Sequence, residues 1–384
     1  MLMPDGKITA EGIKELKKRI GVPLRTKNYN GEASIDAIRH FAHGVGDTNE
    51  AWDNPGHGFI SSTYGCMVAP PSFLYSVVWP SGILAGGLPG VHSFFGGNDW
   101  EFFHVVRAGD EISAEAKLTD VVEKKNSKAA GHTVIQYVEV IYKNQYGDMV
   151  AKAKGWSIRA ERSALKEKGK YMDIKKHRFT EAELKAIYDI YDKEEVLGVK
   201  IRYWDDVKVG DMIPPVAKGP LNLGDMQGYA SGAIPPLAYS ELPRYLKKHP
   251  AFGYHHPTSN RLEPVSRVNT DDYVAAEIGI NAAYDYGADR ICWIGHALTN
   301  WMGDDAFLKK LYVEIRLPNI IGDATLCKGK VTKKYKDGED HLIDLDCWAE
   351  NQRGEITAPG KATIRLFSRE IPGGHLYLHQ KSKS

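Results

Sequence analysis

The sequence has few cysteines and almost no net charge, and both features exclude classes of protein. Its four cysteines, Cys66, Cys292, Cys327 and Cys347, share no CxxC spacing. We therefore expect buried, reduced thiols rather than disulfides or metal ligands. The 50 Lys and Arg residues balance the 49 Asp and Glu residues, so no global field attracts nucleic acid.

Long apolar runs are also missing. No stretch reaches the roughly 18 uninterrupted apolar residues of a membrane span, and the N-terminus has no apolar run typical of a signal peptide. We therefore expect a soluble, cytoplasmic protein without membrane contacts. Neither Gly86-Gly87 nor Gly96-Gly97 fits a dinucleotide fingerprint after a strand, and no phosphate loop occurs. No metal and no separate cofactor is expected.

The 384 residues exceed the roughly 100 to 200 typical of one domain, so two domains are expected. Near the start, periodicity predicts a helix over Ile8–Ile20, and Ser34 is a good N-cap for a second helix. The second helix ends at Gly44 or Gly46, which brings the chain to Asp47. Farther on, Ala69-Pro70-Pro71-Ser72-Phe73 is followed by an apolar segment through Leu84, which predicts a buried helix with a kink or break at Pro80.

The later part of the chain is predicted to contain both strands and helices. Three β-rich runs predict an antiparallel meander: Glu111–Val121, Thr133–Tyr142 and Met149–Arg159. Residues 160–200 are charged and form a linker with one helix, begun by the capping box Thr180-x-x-Glu183. Further elements are expected as follows: a strand and turn over Trp204–Asp211, a helix over Asp225–Ser231, a Pro-rich irregular insert over 234–260, a helix over Arg290–Met302, a β-rich region over Leu311–Phe367 and a mobile tail from Ile371.

The two β-rich regions are copies of each other. Gly109-Asp110 matches Gly322-Asp323, Lys117 matches Lys330, and the Asn-Gln-x-Gly turn at Asn144 recurs at Asn351. Each copy follows an apolar helix, and an antiparallel sheet with one apolar face needs such a cover. We therefore predict an α+β double hotdog, with units at 1–165 and 201–370, a linker at 166–200 and a tail at 371–384.

One motif carries a resemblance to a known family. Gly46-Asp47-Thr48-Asn49 resembles the Gly-Asp-x-Asn-Pro-x-His motif of the MaoC-like dehydratases, which include (R)-specific enoyl-CoA hydratases and tandem hotdog forms. Trp52 stands where the family has its His, and the segment from Ala69 to Phe73 resembles the N-terminal halves of tandem members. In the second half Ala233 replaces the Asp and Asn269 replaces the His.

The resemblance implies a hydratase or dehydratase that interconverts a 2-enoyl-CoA and a 3-hydroxyacyl-CoA. It implies a catalytic Asp47, with coenzyme A only as part of the substrate. Since the family's His is absent, His57 in the same segment is one candidate for the proton partner. His296, in the second apolar helix, is another. Each also has an ordinary interpretation, as a loop or a core histidine.

Four further residues are candidates for substrate binding: Asn49, Trp52, Tyr64 and Ser72. Ser72 follows Pro71, which has no N–H to donate where the family has an oxyanion-hole glycine. If the many aromatic residues near the site face a pocket, a bulky or aromatic acyl group would fit. Two alternatives stay open: a non-catalytic acyl-CoA-binding or partner subunit, and an acyl-CoA thioesterase. A homodimer is expected.

Overall fold

The fold places two sets of helices against one continuous antiparallel sheet of ten strands. The computed structural model describes residues 4–128, 130–233 and 242–370. The helices are α1 (Ala10–Lys17), α2 (Ile35–Val45), α3 (Glu50–Asp53), α4 (Pro55–Ser61), α5 (Arg162–Lys168), α6 (Glu181–Asp192), α7 (Leu223–Ala233), α8 (Leu242–Lys248), α9 (Asp272–Ala276) and α10 (Gly287–Met302).

Twelve strands are described, and ten of them form the large sheet in the order β1-β3-β4-β5-β2-β9-β12-β11-β10-β6. The strands are β1 (Pro23–Leu24), β2 (His92–Phe102), β3 (Ser113–Ser127), β4 (Gly131–Lys143), β5 (Met149–Ala160), β6 (Met212–Lys218), β7 (Gly253–His255), β8 (Leu262–Pro264), β9 (Phe307–Glu314), β10 (Thr325–Asp337), β11 (Asp340–Asn351) and β12 (Ile356–Leu366). The halves join where β2 pairs with β9, from Gly97 opposite Glu314 to Glu101 opposite Lys310.

The duplication is visible in the turns as well as in the strands. Asp110 accepts a hydrogen bond from the N–H three residues earlier at 2.8 Å, and Asp323 does the same at 3.1 Å. The side chains of Asn144 and Asn351 each accept from the N–H groups two and four residues later. These shared turns confirm the repeat, and the antiparallel α+β architecture confirms the predicted fold class.

Helix α10 is the buried centre of the second half. All 16 of its residues are buried, which agrees with its predominantly apolar sequence. Its one arginine, Arg290, contacts Asp285 at 2.7 Å between Nε and Oδ2, so the buried charge has a partner. The sequence prediction for this helix is confirmed, with its start three residues earlier, at Gly287.

The expectation of a matching central α-helix in the first half was wrong. Residues 71–76 and 82–85 form two short 3₁₀ helices instead. Pro80 has no N–H to donate, and in a continuous α-helix its ring would clash with the carbonyl of Ser76. Phe73 and Tyr75 are nevertheless fully buried, so the segment still fills the core without forming an α-helix.

Two other predictions need correction. The segment Trp204–Asp211 contains a 3₁₀ helix over Trp204–Asp206, and the strand that follows begins only at Met212. Strand β2 was missed because it contains Gly96 and Gly97, which are untypical of strands. A Cβ at Gly97 would lie 2.2 Å from the carbonyl oxygen of Val313, so close backbone approach explains that glycine.

The remaining predictions agree with the structure where it can be compared. Thr180 and Glu183 form the capping box of α6, and α1, α2 and α7 lie where helices were predicted. The insert after 234 includes α8 and β7, while residues 234–241 and the tail from 371 lie outside the described residues. All four cysteines are free, and three of them are buried. No helix in the described part of the chain is long and apolar enough to cross a membrane.

Candidate active site between the two halves

Helix α2 ends so that Asp47 points into the protein. Gly46 takes the left-handed conformation, with φ of 70°, and the Asp47 N–H donates to the carbonyl of Ala42 at 2.9 Å. Asp47 is 4% exposed, and its Oδ1 accepts from the Asn49 N–H at 3.2 Å. The left-handed turn therefore buries one carboxylate of the first half.

His296 approaches this carboxylate from the second half. It lies on α10 and is 2% exposed. Its Nε2 is 3.4 Å from Asp47 Oδ1 and 3.0 Å from Glu194 Oε1. Neither contact has the alignment of a hydrogen bond, since Nε2 counts as an unpartnered buried nitrogen. Catalytic contacts are often poorly aligned until substrate is bound.

Lys218, at the end of β6, holds the other side of the imidazole. Its Nζ donates to the carbonyls of Val45 at 3.0 Å and Gly46 at 2.7 Å, and lies 2.9 Å from His296 Nδ1. A protonated amine has three hydrogens and no lone pair, so these three acceptors match it. Nδ1 must then accept, which leaves the ring proton on Nε2, facing the carboxylates. Burial lowers the pKa of Lys218, and Asp47 and Glu194 oppose that shift.

Glu194, just after α6, completes the cluster from the linker. Asn300 donates to its Oε1 at 2.9 Å. Burial raises the pKa of Glu194, but the contacts with His296 and the charge of Lys218 outweigh it and hold that pKa below its ordinary value. Two carboxylates, one ammonium and one imidazole therefore meet, and the first half, the linker and the second half all contribute.

The space beside Asp47 and His296 is small. A cavity of about 10 Å³ lies between them and is walled by Pro71, Ser72 and Gly295. This is roughly the room that one water molecule needs. The predicted residues Asp47, Ser72 and His296 are thus brought together around a space for a single small reactant.

The other predicted residues lie in an adjoining region. His57 Nε2 is 2.9 Å from Asp304 Oδ2, and Asn49 Nδ2 donates to Asp304 Oδ1 at 3.2 Å. Trp52 and Tyr64 line a separate cavity of about 40 Å³ with Asp304. The structure therefore pairs His57 with Asp304 and gives His296 the direct contact with Asp47.

The equivalent region of the second half is far more open. A cavity of about 1060 Å³ is lined by Ser231 near the end of α7, by Asn269 and by Gly287 at the start of α10. Asn269, at the position of the family's His, donates to the carbonyls of Tyr284 at 2.8 Å and Asp285 at 3.2 Å. The second half thus has space where its motif has lost the acid and the His.

Three aromatic rings form part of the wall of this large cavity. Trp79 lies 5.4 Å from Phe95 and 6.4 Å from Tyr286, measured between ring centroids. All three residues line the cavity. The sequence analysis expected aromatic residues near a site, but it did not foresee that these rings meet at the cavity that Asn269 also lines.

Two members of the charge cluster, Lys218 and Glu194, were not found from the sequence. Lys218 ends an apolar strand, and a lone lysine there was the available signal. Glu194 lies among other charged residues of the linker, where nothing sets it apart. No group of His, Cys, Asp and Glu side chains in residues 4–128, 130–233 and 242–370 could hold a metal ion.

Comparison with known proteins is consistent with this arrangement. Residues 19–153 match the family model described as "FAS1-like, dehydratase domain region". A comparison with curated protein sequences found no match.

Solved structures extend the likeness to nearly the whole chain. A MaoC-like dehydratase superposes with a TM-score of 0.64 at 17% identity, covering 92% of this chain and 100% of the other. A MaoC-like dehydratase from Phytophthora capsici gives 0.52 at 11% identity, covering 92% and 98%. A conserved hypothetical protein from Mycobacterium tuberculosis, described as a double hotdog, gives 0.53 at 10% identity, covering 89% and 96%. At these identities the structural matches establish the fold. Together with the match of residues 19–153, they confirm the resemblance to the MaoC-like dehydratases, and the chain has the double hotdog fold.

Proposed function

We propose that the protein is a hydratase or dehydratase that interconverts a 2-enoyl-CoA and a 3-hydroxyacyl-CoA at the Asp47–His296 pair. The observation that supports this most is the 3.4 Å contact between His296 Nε2 and Asp47 Oδ1 beside a cavity of about 10 Å³. The pair supplies a carboxylate and an imidazole N–H, which are the two proton-handling groups that hydration needs.

In the hydration direction, water adds its oxygen to C3 of the enoyl group and a proton to C2. The Asp47 carboxylate accepts a proton from the water, and His296 Nε2–H is positioned to give its proton to C2. The proton on Asp47 then passes to His296 Nε2 across their 3.4 Å contact, which restores both groups. Ser72 lines the same cavity, and its hydroxyl can donate to the thioester oxygen, where negative charge develops. Dehydration runs through the same groups in reverse.

The thioester must displace part of the wall to reach this pair, because the cavity has space only for water. Glu194 is the most exposed member of the charge cluster, with 17% of its side chain accessible, against 3% or less for Asp47 and His296. We therefore place substrate entry beside the linker that carries Glu194. Closure after binding would exclude bulk water from the site.

The bulky or aromatic acyl group remains part of the proposal. Its support is the group of rings formed by Trp79, Phe95 and Tyr286 at the large cavity. Apolar walls and offset aromatic contacts favour a ring or a branched chain over a short linear one.

The test is the loss of enoyl-thioester absorbance with a panel of linear, branched and aromatic enoyl-CoAs. We expect turnover by the wild type and loss of about 10²-fold or more in Asp47→Asn. Asp53→Asn, which changes an exposed carboxylate in α3, is the matched control and should keep full activity. Unchanged turnover in Asp47→Asn would contradict the assignment of the site.

A second candidate is an acyl-CoA-binding subunit without catalysis. Its support is the contrast between a cavity of about 1060 Å³ that contains no family acid and a charged pair with space for only one water. If several acyl-CoAs raise the melting temperature and none is converted, this candidate replaces the first. A free-thiol assay in the same experiment detects thioester hydrolysis, the third alternative.

We also propose that two copies of the chain associate. One edge strand of the large sheet is β1, which has only two residues, so residues 119–126 of the neighbouring strand β3 pair with no described strand on that side. An exposed strand segment of this kind is a site where a second copy can pair. Light scattering at micromolar concentration tests this, and a mass of one chain would contradict it.

A further inference from the structure

One corner of the large cavity carries two buried positive charges that form no direct ion pair with a carboxylate of the described residues; the nearest charge that acts on Arg162 is that of Asp5. Arg159, near the end of β5, and Arg162, at the start of α5, line the cavity and are each 5% exposed. Neither guanidinium lies within 4.0 Å of a carboxylate oxygen of the described residues. A buried ion normally needs an opposite charge, because removal from water is costly.

The contacts of Arg159 are all with neutral groups. Its Nη2 donates to the carbonyls of Leu88 at 2.9 Å and Val91 at 3.0 Å. Its Nη1 donates to the carbonyl of Gly87 at 3.2 Å and to the amide oxygen of Gln136 at 2.6 Å. These bonds order the loop over the cavity and satisfy the hydrogens of Arg159, but they do not neutralise its charge.

Two neighbouring nitrogens have no hydrogen-bond partner among the described residues. Arg162 donates through Nη1 to the carbonyls of Pro4 and Gly90, while its Nε is buried and unpartnered. His92, the first residue of β2, is 6% exposed, lines the same cavity and has an unpartnered Nε2. Buried nitrogens without a partner are rare, and each calls for an explanation.

The charge states at neutral pH follow from the surroundings. Burial lowers the pKa of Arg159 and of Arg162 to about 10, so both stay protonated. Burial, together with the charges of Arg162 and Arg159, lowers the pKa of His92 well below its ordinary value, so the ring is neutral. The corner thus has two positive charges, and Nε2 of a neutral imidazole can donate.

We propose that this corner, formed by His92, Arg159 and Arg162, binds an anionic oxygen group of the ligand, either a carboxylate or a phosphate. Arg162 Nε and His92 Nε2 would donate to it, and Arg159 would contribute its charge. Hydrogen bonds between charged partners are about twice as strong as neutral ones. The anion is either a carboxylate at the far end of the acyl group or a phosphate of coenzyme A. That it belongs to an acyl thioester rests on the proposed function, whereas the anion site itself does not.

The test measures binding to the full-length protein by titration calorimetry, so it does not depend on turnover. The probes are glutaryl-CoA, which ends in a carboxylate, pentanoyl-CoA, which has the same chain length without it, coenzyme A and inorganic pyrophosphate. The variants are Arg162→Gln, Arg162→Lys and His92→Leu. The matched control is Arg202→Gln, a half-buried arginine that donates to the carbonyl of Trp301 and does not line the cavity.

For a carboxylate, we expect glutaryl-CoA to bind about tenfold or more tightly than pentanoyl-CoA. Arg162→Gln should remove that difference, Arg162→Lys should keep part of it and Arg202→Gln should leave it unchanged. For a phosphate, glutaryl-CoA, pentanoyl-CoA and coenzyme A should bind alike, and Arg162→Gln should weaken all three and pyrophosphate by about tenfold. Either pattern supports the anion site and identifies its source.

The proposal is overturned if folded Arg162→Gln and His92→Leu bind every probe as the wild type does, or if no anionic probe binds the wild type. Circular dichroism establishes folding, and His92→Leu serves if Arg162→Gln does not fold. Failure of the proposed function gives a different result, because binding can persist with all substrates unconverted.

Discussion

The two halves of the chain differ most at the ends of their matching helices α2 and α7. After α2 the chain keeps its acid, Asp47, and the adjoining cavity is about 10 Å³. After α7, Ala233 stands in the place of the acid, and the adjoining cavity is about 1060 Å³. The first half therefore has the acid beside a small cavity. The second half has a large cavity but lacks the acid.

Under the proposed function, this difference means that the two copies contribute different parts of one site. A buried carboxylate needs partners, and Asp47 obtains them from the second half, through Lys218 and His296. In the second half, where Asn269 lines the cavity and needs no counter-charge, the cavity is open. We therefore expect turnover to depend on the closed region, which is the cluster around Asp47 and His296. We expect ligand affinity to depend on the open region, which is the large cavity of the second half.

The largest expected effect is the loss of turnover when His296 is replaced. Replacing the proton donor by His296→Gln should lower turnover by about 10²- to 10⁴-fold. His341→Gln, which changes another buried histidine of the second half, is the control and should retain activity. Steady-state kinetics with the best substrate of the panel measures both. Equal rates for the two variants would remove His296 from the site.

The next effect concerns the stability of the closed region. Lys218→Met removes the ammonium and leaves the buried Asp47 and the half-buried Glu194 without it, which should lower the free energy of unfolding by about 3–5 kcal/mol. Urea unfolding followed by circular dichroism gives the value. Lys330→Met, on an exposed position of β10, should change it by less than about 0.5 kcal/mol. If Lys218→Met changes the free energy of unfolding only slightly, the ammonium of Lys218 does not stabilise the cluster.

A smaller effect is expected in the open region. Ala230→Phe places a ring in the large cavity, which Ala230 lines. It should weaken binding of an aromatic acyl-CoA by about tenfold and leave coenzyme A binding unchanged. Titration calorimetry with both ligands is the measurement. Equal loss for both would show that the ring disturbs the fold rather than the acyl group.

The smallest effect is a pH dependence that comes from Glu194. Its pKa is held below the ordinary value in the folded state, so the unfolded chain binds more protons as the pH falls. The stabilisation is complete above about 4.5 and is lost as the pH falls through the folded value. Glu194→Gln should therefore flatten the acid side of the melting-temperature curve. Glu195→Gln, at the exposed next residue, should leave that side as steep as in the wild type.

Local patterns were enough to predict much of the fold. The N-cap Ser34, the glycine after α2 and the repeated Asp and Asn turns each act within a few residues, so the sequence reveals them directly. The 3₁₀ segments at 71–85 were not foreseen, because apolar residues of helical length suggest a helix even when Pro80 prevents one.

The site was predictable only in part, for a similar reason. Asp47 lies in a recognisable motif, and its position was foreseen. The contact with His296 joins residues about 250 positions apart, and Lys218 and Glu194 come from two further elements. No local pattern encodes such a meeting, because it depends on how the two halves pair through β2 and β9.

The most direct test of this account is a double-mutant cycle of Asp47→Asn and His296→Gln on kcat/KM with the best enoyl-CoA of the panel. Residues that act as one unit lose nearly the same activity singly as together. We therefore predict that the double variant is about as slow as the slower single variant. Losses that multiply, or a single variant with wild-type kcat/KM, would contradict a shared site between the halves.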